Sequence, residues 1–516
     1  MKTMNEEKHP TTTPAGMPAA GKVVTWPMPL SEKPFPRYRL TVDGVEVPVW
    51  SGRVREEIHR PADAGWTHMY NGATEWCGFA RFDFSGSVEV AVTVDRDFDS
   101  AEIVPRSAGI ACAVYGRTVH FRLDEPRPLT LLLDGRDREP LHLFTHRPET
   151  DVPSPEDPDV IYFGPGEHWV DTIQVRSGQT VYLDGGALVR AVLPPGAQGQ
   201  RSGGVLKLVG YPGGPVINVS EADDVQIRGR GILDGTALPH SVRNLICLRR
   251  SRNVRVEGIT LRNSPNWHLP IVDCDEIDVE GLCGLSGRLN SDGINCVSSR
   301  HVTVRNCFMR THDDTYAVKT TVPDRPSEHI RYERCVAWND WGFALGVTYE
   351  TRADIRDVAF TDCDVIFARN WAIGVHATDG GGIENIRFER LGVDYPQISI
   401  DPVMGRLLVR IDNQKDCWST EPGIASVRGI LLRDIDVRGQ AVDRIDIQGN
   451  DPEHPITNVC FDAVRINGEP LDAGNVAVNA HVNDWAIGRN NGRTAHRVDA
   501  TPEQNGSVTP DGVSRP

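Results

Sequence analysis

Three carboxylates within Asn290-Ser-Asp-Gly293 and Thr311-His-Asp-Asp-Thr315 have the types and spacing for acid–base chemistry. Asp292 and Asp313 lie 21 residues apart, and Asp314 follows directly. In a chain coiled with about that period, Asp292 and Asp313 would occupy equivalent places on neighbouring rungs, about 4.8 Å apart. In a regular strand Asp313 and Asp314 would point to opposite faces, so a turn or bulge is needed to aim both outward. Three carboxylates converging on one surface repel one another, which raises at least one pKa. A proton-holding acid beside an ionised base is what cleavage of a glycosidic bond requires. A single aspartate of this kind reads as a solvated turn residue. Three at one-rung spacing, with His312 and Lys319 nearby, read as a site. Lys319 either keeps one of them ionised or forms a plain structural salt bridge.

The elements that must position them show a change of rhythm along the chain. Residues 1–36 read as a flexible lead. From 37 to 150 the strands are short and alternating: Val88, Val90, Val92 and Val94 share one face, with Glu89, Ala91 and Thr93 opposite. Leu40 and Val42 run into Asp43-Gly44, and Val45, Val47 and Val49 return, a hairpin signature. Several such strands predict a β-sandwich. The proline-rich stretch 151–159 is a linker. From 160 to 490, segments such as Val225-Gln-Ile227, Val254-Arg-Val256, Ile277-Asp-Val279, Val302-Thr-Val304, Val358-Ala-Phe360 and Ile386-Arg-Phe388 recur about every 20 to 25 residues, a solenoid period. Each is too short to bury itself, but stacked they bury a continuous core. The predicted fold is all-β, a right-handed parallel β-helix behind an N-terminal β-sandwich. Asn263, Asn306, Cys307, Cys335 and Cys363 suit inward ladders at the corners. A polar tail follows from 491 to 516.

Composition narrows the classes. With 55 basic and 71 acidic residues the formal charge is −16, which disfavours a general grip on nucleic acid or an anionic membrane. No apolar run is long enough for a membrane span. Eleven cysteines without close pairing read as reduced thiols, not as a disulfide frame or zinc site. The stretch from Met1 to about Lys22 lacks the apolar core of a signal peptide, so the expected location is cytoplasmic.

The block Ser251-Arg-Asn-Val-Arg-Val-Glu-Gly-Ile-Thr-Leu-Arg-Asn-Ser-Pro-Asn-Trp-His268, followed by Asn290-Ser-Asp and Asp313-Asp314, resembles the polygalacturonase family of glycoside hydrolases, family 28, over roughly residues 160 to 470. The resemblance implies that Asp313 is the general acid, that Asp292 and Asp314 deprotonate water, that configuration inverts, and that no metal or other cofactor is used. Two departures stand out. Where that family has Gly-His-Gly this chain reads Asp340-Trp-Gly342. Where it has Arg-x-Lys, which grips a uronate carboxylate, this chain has Gly374 and His376. With the planar guanidinium gone, the expected substrate is an oligo- or polysaccharide of neutral sugars. The chain is also similar to family 49, dextranases and isopullulanases, in its sandwich-plus-helix order, its aspartates and the neutral α-glucan substrate they imply.

Flat aromatic side chains bind the apolar faces of sugar rings. Trp267, Tyr316, Trp338, Trp341, Tyr349 and Trp371 lie near the triad, about half of them expected to be structural. Candidate substrate contacts are Trp267, His268, His312, Lys319, Trp341, Tyr349, Trp371 and His376. Three rivals stay open, the first a polygalacturonase-type hydrolase of uronates. A polysaccharide lyase would hold Ca²⁺ on the aspartates and use Lys319 or Arg310 as base. A non-enzymatic glycan-binding β-helix would need none of the three.

Overall fold

Val or Ile at every second position, with charged residues between, gives strands that bury one face and must find partners for both edges. The computed structural model describes residues 23–55, 74–193, 198–202, 205–209, 214–240, 242–395, 407–416, 419, 421–439 and 445–488. From Val160 to Ile487 the partners are the preceding and following turns of the same chain, which winds into a parallel β-helix. Each full turn carries strands in up to three ladders. Val254, Ile277, Val302, Ile330, Val358 and Ile386 stack in one. Thr260, Cys283, Phe308 and Val336 stack in the second. Leu248, Ile271, Cys296, Val318, Val347, Val375 and Ile411 stack in the third. The inward rows merge into one apolar core along the helix axis. Val302 to Ile386 repeat at steps of 28 residues, as do the ion pairs that cross these turns. That is longer than the expected period, because the corner loops add residues without disturbing the stacking.

One corner is made by a column of single residues at positive φ: Asn253, Glu276, His301, His329, Asp357 and Asn385. A lone left-handed residue bends the chain without a loop, and Asn and Asp tolerate it best. At a neighbouring corner Cys307, Cys335 and Cys363 form a fully buried inward column, as the spacing predicts. The ten cysteines among the described residues are free thiols.

The strands before Val160 pair largely antiparallel into a six-stranded and a five-stranded sheet, with Leu40, Val42, Phe82, Val90, Val92, Leu131 and Leu143 between them. The Asp43-Gly44 hairpin forms, both residues at positive φ. Val49 crosses instead to the other sheet, opposite Ala80. The expected flexible lead is corrected from Val23 onward. Val23–Val24 pairs with Phe84 and Asp83, Phe35 is buried, and Glu32 ion-pairs with Arg190 and Arg262 of the helix. Residues 1–22 of that lead, and the 491–516 tail, lie outside the described residues.

The outer face of the six-stranded sheet packs on the second ladder. Trp50, Phe79, Leu132 and Phe144 meet Cys283, Leu285, Phe308, Trp338 and Phe367. At Gly52 a Cβ would stand 3.1 Å from both the Cys77 sulfur and Leu285 Cδ1, so the Leu285 side chain of the helix packs directly on the Gly52 backbone. At roughly 1.5–3 kcal/mol for each fully buried Leu or Phe, this seam is a third core.

Candidate active site

The corner between the second and third ladders is where the chain leaves regular structure and the aspartates emerge. Ile294 stacks on Tyr316, and Tyr316 on Leu345. By that register Asp292 aligns with Asp314, and the Gly293 N–H donates to the Asp314 carbonyl at 2.8 Å. Asp313, expected as the partner of Asp292, stands one residue earlier, within a bend at His312-Asp313. The bend aims both acids of the pair toward Asp292: carboxylate oxygens of all three lie within 4.8 Å of one another. Thr311 and Asn339 both donate to the Asp313 carbonyl, at 2.6 and 2.8 Å, and fix the bend.

Lys319 projects from the adjacent strand and places its ammonium 2.9 Å from Asp314 Oδ2 and 3.3 Å from Asp292 Oδ2. Asn295 Nδ2 donates to Asp292 at 2.8 Å. Asp314 also accepts from Thr348 Oγ1 and from the Phe343 N–H, both at 3.0 Å. Asp313 differs. Among the described residues its carboxylate accepts only the Asp314 N–H, at 2.9 Å, and no cation reaches it at ion-pair distance. Burial, then the charges of Asp292 and Asp314, hold the Asp313 carboxyl protonated well above the usual carboxylate range. Burial also lifts Asp292, to about 6, against the pull of Lys319. Lys319 itself is held above its ordinary value: burial works against its charge, but Asp314 and Asp292 outweigh it. The arrangement is one acid holding its proton beside two carboxylates sharing one cation. The three oxygens are also close enough for a metal ion, but the Lys319 ammonium already bridges two of them.

The aromatic candidates divide. Trp267 and Tyr349 flank Lys319, their ring centres 5.1 and 5.8 Å from its ammonium. Trp341 lies parallel to His312 at 6.1 Å, with Arg369 over its ring. Trp371 stacks on Phe343 at 4.6 Å and carries Arg410 over its ring at 5.1 Å. Tyr316 is buried in the helix core and Trp338 in the domain seam. Two histidines assigned to substrate need correction. His268 is fully buried, with Nδ1 2.8 Å from the Asp292 carbonyl; burial lowers its pKa to about 4, so it is a neutral brace beneath the triad. His376 has both ring nitrogens engaged, Nδ1 with Asp412 and Nε2 with Asp416 at 2.9 Å, which leaves none for a sugar hydroxyl.

Asn295, Thr348, Asn339 and Phe343 join the site without having been singled out in the sequence; their types carry no chemistry until the turns stack. Gly342 had a signal, standing within Asp340-Trp-Gly342 at the departure from Gly-His-Gly. A Cβ there would lie 2.7 Å from Asp314 Oδ1 and 2.9 Å from Asp313 Oδ1, so only glycine lets this loop close over the pair.

A parallel β-helix whose corner loops gather three carboxylates on its outer surface has the build of a carbohydrate-active enzyme. The chain belongs to the glycosyl hydrolases family 28, whose sequence profile matches residues 166–483. It is similar to a probable polygalacturonase of Vitis vinifera, 25% identical over 227 residues, covering 43% of this chain and 38% of that one. A polygalacturonase of Juniperus ashei is 31% identical over 96 residues, 18% of each chain. The matches thus span less than half the length of these curated relatives. Among solved structures, Dex49A from Penicillium minioluteum superposes with a TM-score of 0.61 at 12% identity, covering 90% of this chain and 96% of that one. At that identity the likeness is one of fold, and its coverage takes in the sandwich as well as the helix.

Proposed function

We propose that this protein hydrolyses glycosidic bonds in an oligo- or polysaccharide by a single displacement that inverts configuration. Asp313 donates its proton to the glycosidic oxygen, while Asp292 and Asp314 orient and deprotonate the attacking water. The observation that carries this reading is the division of Lys319, which serves Asp292 and Asp314 and leaves Asp313 without a cation among the described residues. An acid needs a raised pKa and a base must be ionised: Lys319 favours the charged form of the two carboxylates it contacts, while burial and the charges of those two raise Asp313. Carboxylates as close as these are usual in retaining enzymes, where one attacks the sugar. Here Lys319 holds Asp292 and Asp314 side by side, a geometry that suits a shared water rather than a free nucleophile. The initial product anomer, followed by NMR, tests this: inverted configuration is expected, and retained configuration or a glycosyl ester on any of the three aspartates overturns it.

The substrate we propose is neutral. A side chain at Gly374 would stand 2.1 Å from the Phe343 ring, so the arginine of the Arg-x-Lys pattern has no room. The cations on that wall are engaged internally: His376 with Asp412 and Asp416, and Arg410 Nε with Asp412 at 2.5 Å. A uronate carboxylate would have to compete with both aspartates. The names of the curated relatives favour the second reading, cleavage of polygalacturonate. Turnover on neutral α- and β-linked oligosaccharides against oligogalacturonides decides between them, and faster turnover of the oligogalacturonides overturns the neutral assignment.

A further inference from the structure

One polar chain crosses the seam between the two domains, directly beneath the loops that carry the aspartates. Arg310, in the strand Phe308–Thr311, lies just before His312-Asp313-Asp314 and is 0% exposed. Its Nε donates to Asp340 Oδ2 at 3.3 Å, and its guanidinium lies 4.2 Å from the centre of the Trp338 ring. Asp340 precedes Trp341 and Gly342, the glycine that rests on Asp313 and Asp314. Arg310 therefore ties the loop 312–315 to the loop 340–342. Its remaining described contact comes from the other domain: Nη1 lies 3.3 Å from Nε2 of His142, in the sandwich strand Leu141–His146.

A buried guanidinium is tolerated only where its N–H groups find acceptors. Nη2 has no acceptor among the described residues, which makes the remaining two bonds decisive for where Arg310 sits. His142 is built to supply one. Nδ1 is 2.7 Å from Thr130 Oγ1; a proton on Nδ1 donated there leaves the Nε2 lone pair for Arg310. The ring is clamped by Phe144, Phe308 and Trp338, with centroids 6.3, 4.9 and 5.4 Å away. Burial, reinforced by the Arg310 charge, holds the imidazole neutral by pushing its pKa well below the ordinary value.

We propose that His142 is a positioning residue for the reaction: through Arg310 it fixes the two loops that aim Asp313 and Asp314, so the sandwich is structurally part of the active site. The inference rests on those aspartates carrying the reaction. Four variants of the full chain test it on the oligosaccharide that the wild type turns over fastest. His142→Phe, which fills the seam but cannot accept, is expected to lower kcat by up to about 100-fold, the scale of a small misplacement of reacting groups, with KM nearly unchanged. His142→Gln, with a carbonyl for Arg310 and an N–H for Thr130, is expected to recover most of that loss. Thr130→Val, which keeps the volume and removes the hydroxyl that fixes the tautomer, is expected to lose an intermediate amount. A folded His142→Phe protein with wild-type kcat overturns the proposal. So does a His142→Gln protein no better than His142→Phe when both melt like the wild type. Should His142→Phe fail to fold, an unchanged kcat in Thr130→Val overturns it. Asp313→Asn separates the two readings. If it stays active, the catalytic assignment has failed; if it alone is inactive, only the role of His142 has.

Discussion

Two acidic clusters stand on the same outer face of the β-helix, and their negative charge is matched to different degrees. In the first, three carboxylates meet one cation among the described residues, Lys319, which pairs with Asp292 and Asp314 but not with Asp313. In the second, on strands further along the same sheet, Asp412 and Asp416 meet two cations, His376 and Arg410. The pKa directions follow the count. Burial acts to raise Asp412 as it raises Asp292, but His376 and Arg410 outweigh it and hold Asp412 below its ordinary value. At the triad burial prevails: Asp292 rises to about 6, and Asp313 rises well above its ordinary value. A buried carboxylate whose charge is matched maintains structure, whereas one left under-matched retains a proton that it can give away.

The sharpest way to break this comparison is Asp313→Asn. We expect kcat to fall by roughly 10² to 10⁴-fold, the usual share of general acid–base catalysis. Thermal unfolding at pH 8 should show a protein at least as stable as the wild type. The sign follows from linkage: a carboxyl raised in the folded state binds more protons there than in the unfolded chain. Stability then falls as pH rises from the unfolded value toward the folded one, and the amide removes that loss. An active or strongly destabilised variant would contradict the assignment.

Asp412→Asn should do the reverse. It leaves His376 buried and poorly compensated, and removing one partner of such a buried pair costs about 3–5 kcal/mol, measurable by denaturant unfolding. The pH dependence is specific. His376 is raised to about 9 despite burial, chiefly by Asp412, from an ordinary value of 6.5. Its contribution is fully present below pH 6.5 and lost as pH rises through about 9. The wild type should therefore lose stability across that window, and the variant lose less. Equal slopes would show that the cluster does not act through this pair.

The smallest effect expected is in the pH–rate profile. Asp292 must be ionised to act as base, so kcat/KM should fall as pH drops through about 6. Lys319→Met, by removing the cation that lowers that pKa, should move this limb upward. A limb near 4, unmoved in the variant, would mean that the triad is better solvated than its burial implies.

Much of this was legible in the chain. Alternating Val and Ile with polar residues in stacked segments predicts a solenoid, because such segments are too short to bury themselves and repeat too regularly for a sandwich. Asp292, Asp313 and Asp314 were legible because spacing near one turn is itself a statement about proximity. Other matters depend on contacts between distant residues, and no local pattern encodes those. Residues Val23–Pro36 read as a lead, since nothing nearby in sequence announces Arg190 and Arg262 as partners of Glu32. The alignment of Asp292 with Asp314 depended on how many residues each corner loop consumed. His376 looked like a sugar ligand until Asp412 and Asp416, 36 and 40 residues away, closed on both its nitrogens. The sequence by itself determined the residue types and the repeat, because burial and strand pairing act over a few residues. Only the tertiary structure decided which charges are matched, because that depends on what stands across a gap of a few ångströms, set by the stacking of turns and by a sandwich that places His142 168 residues before its partner Arg310.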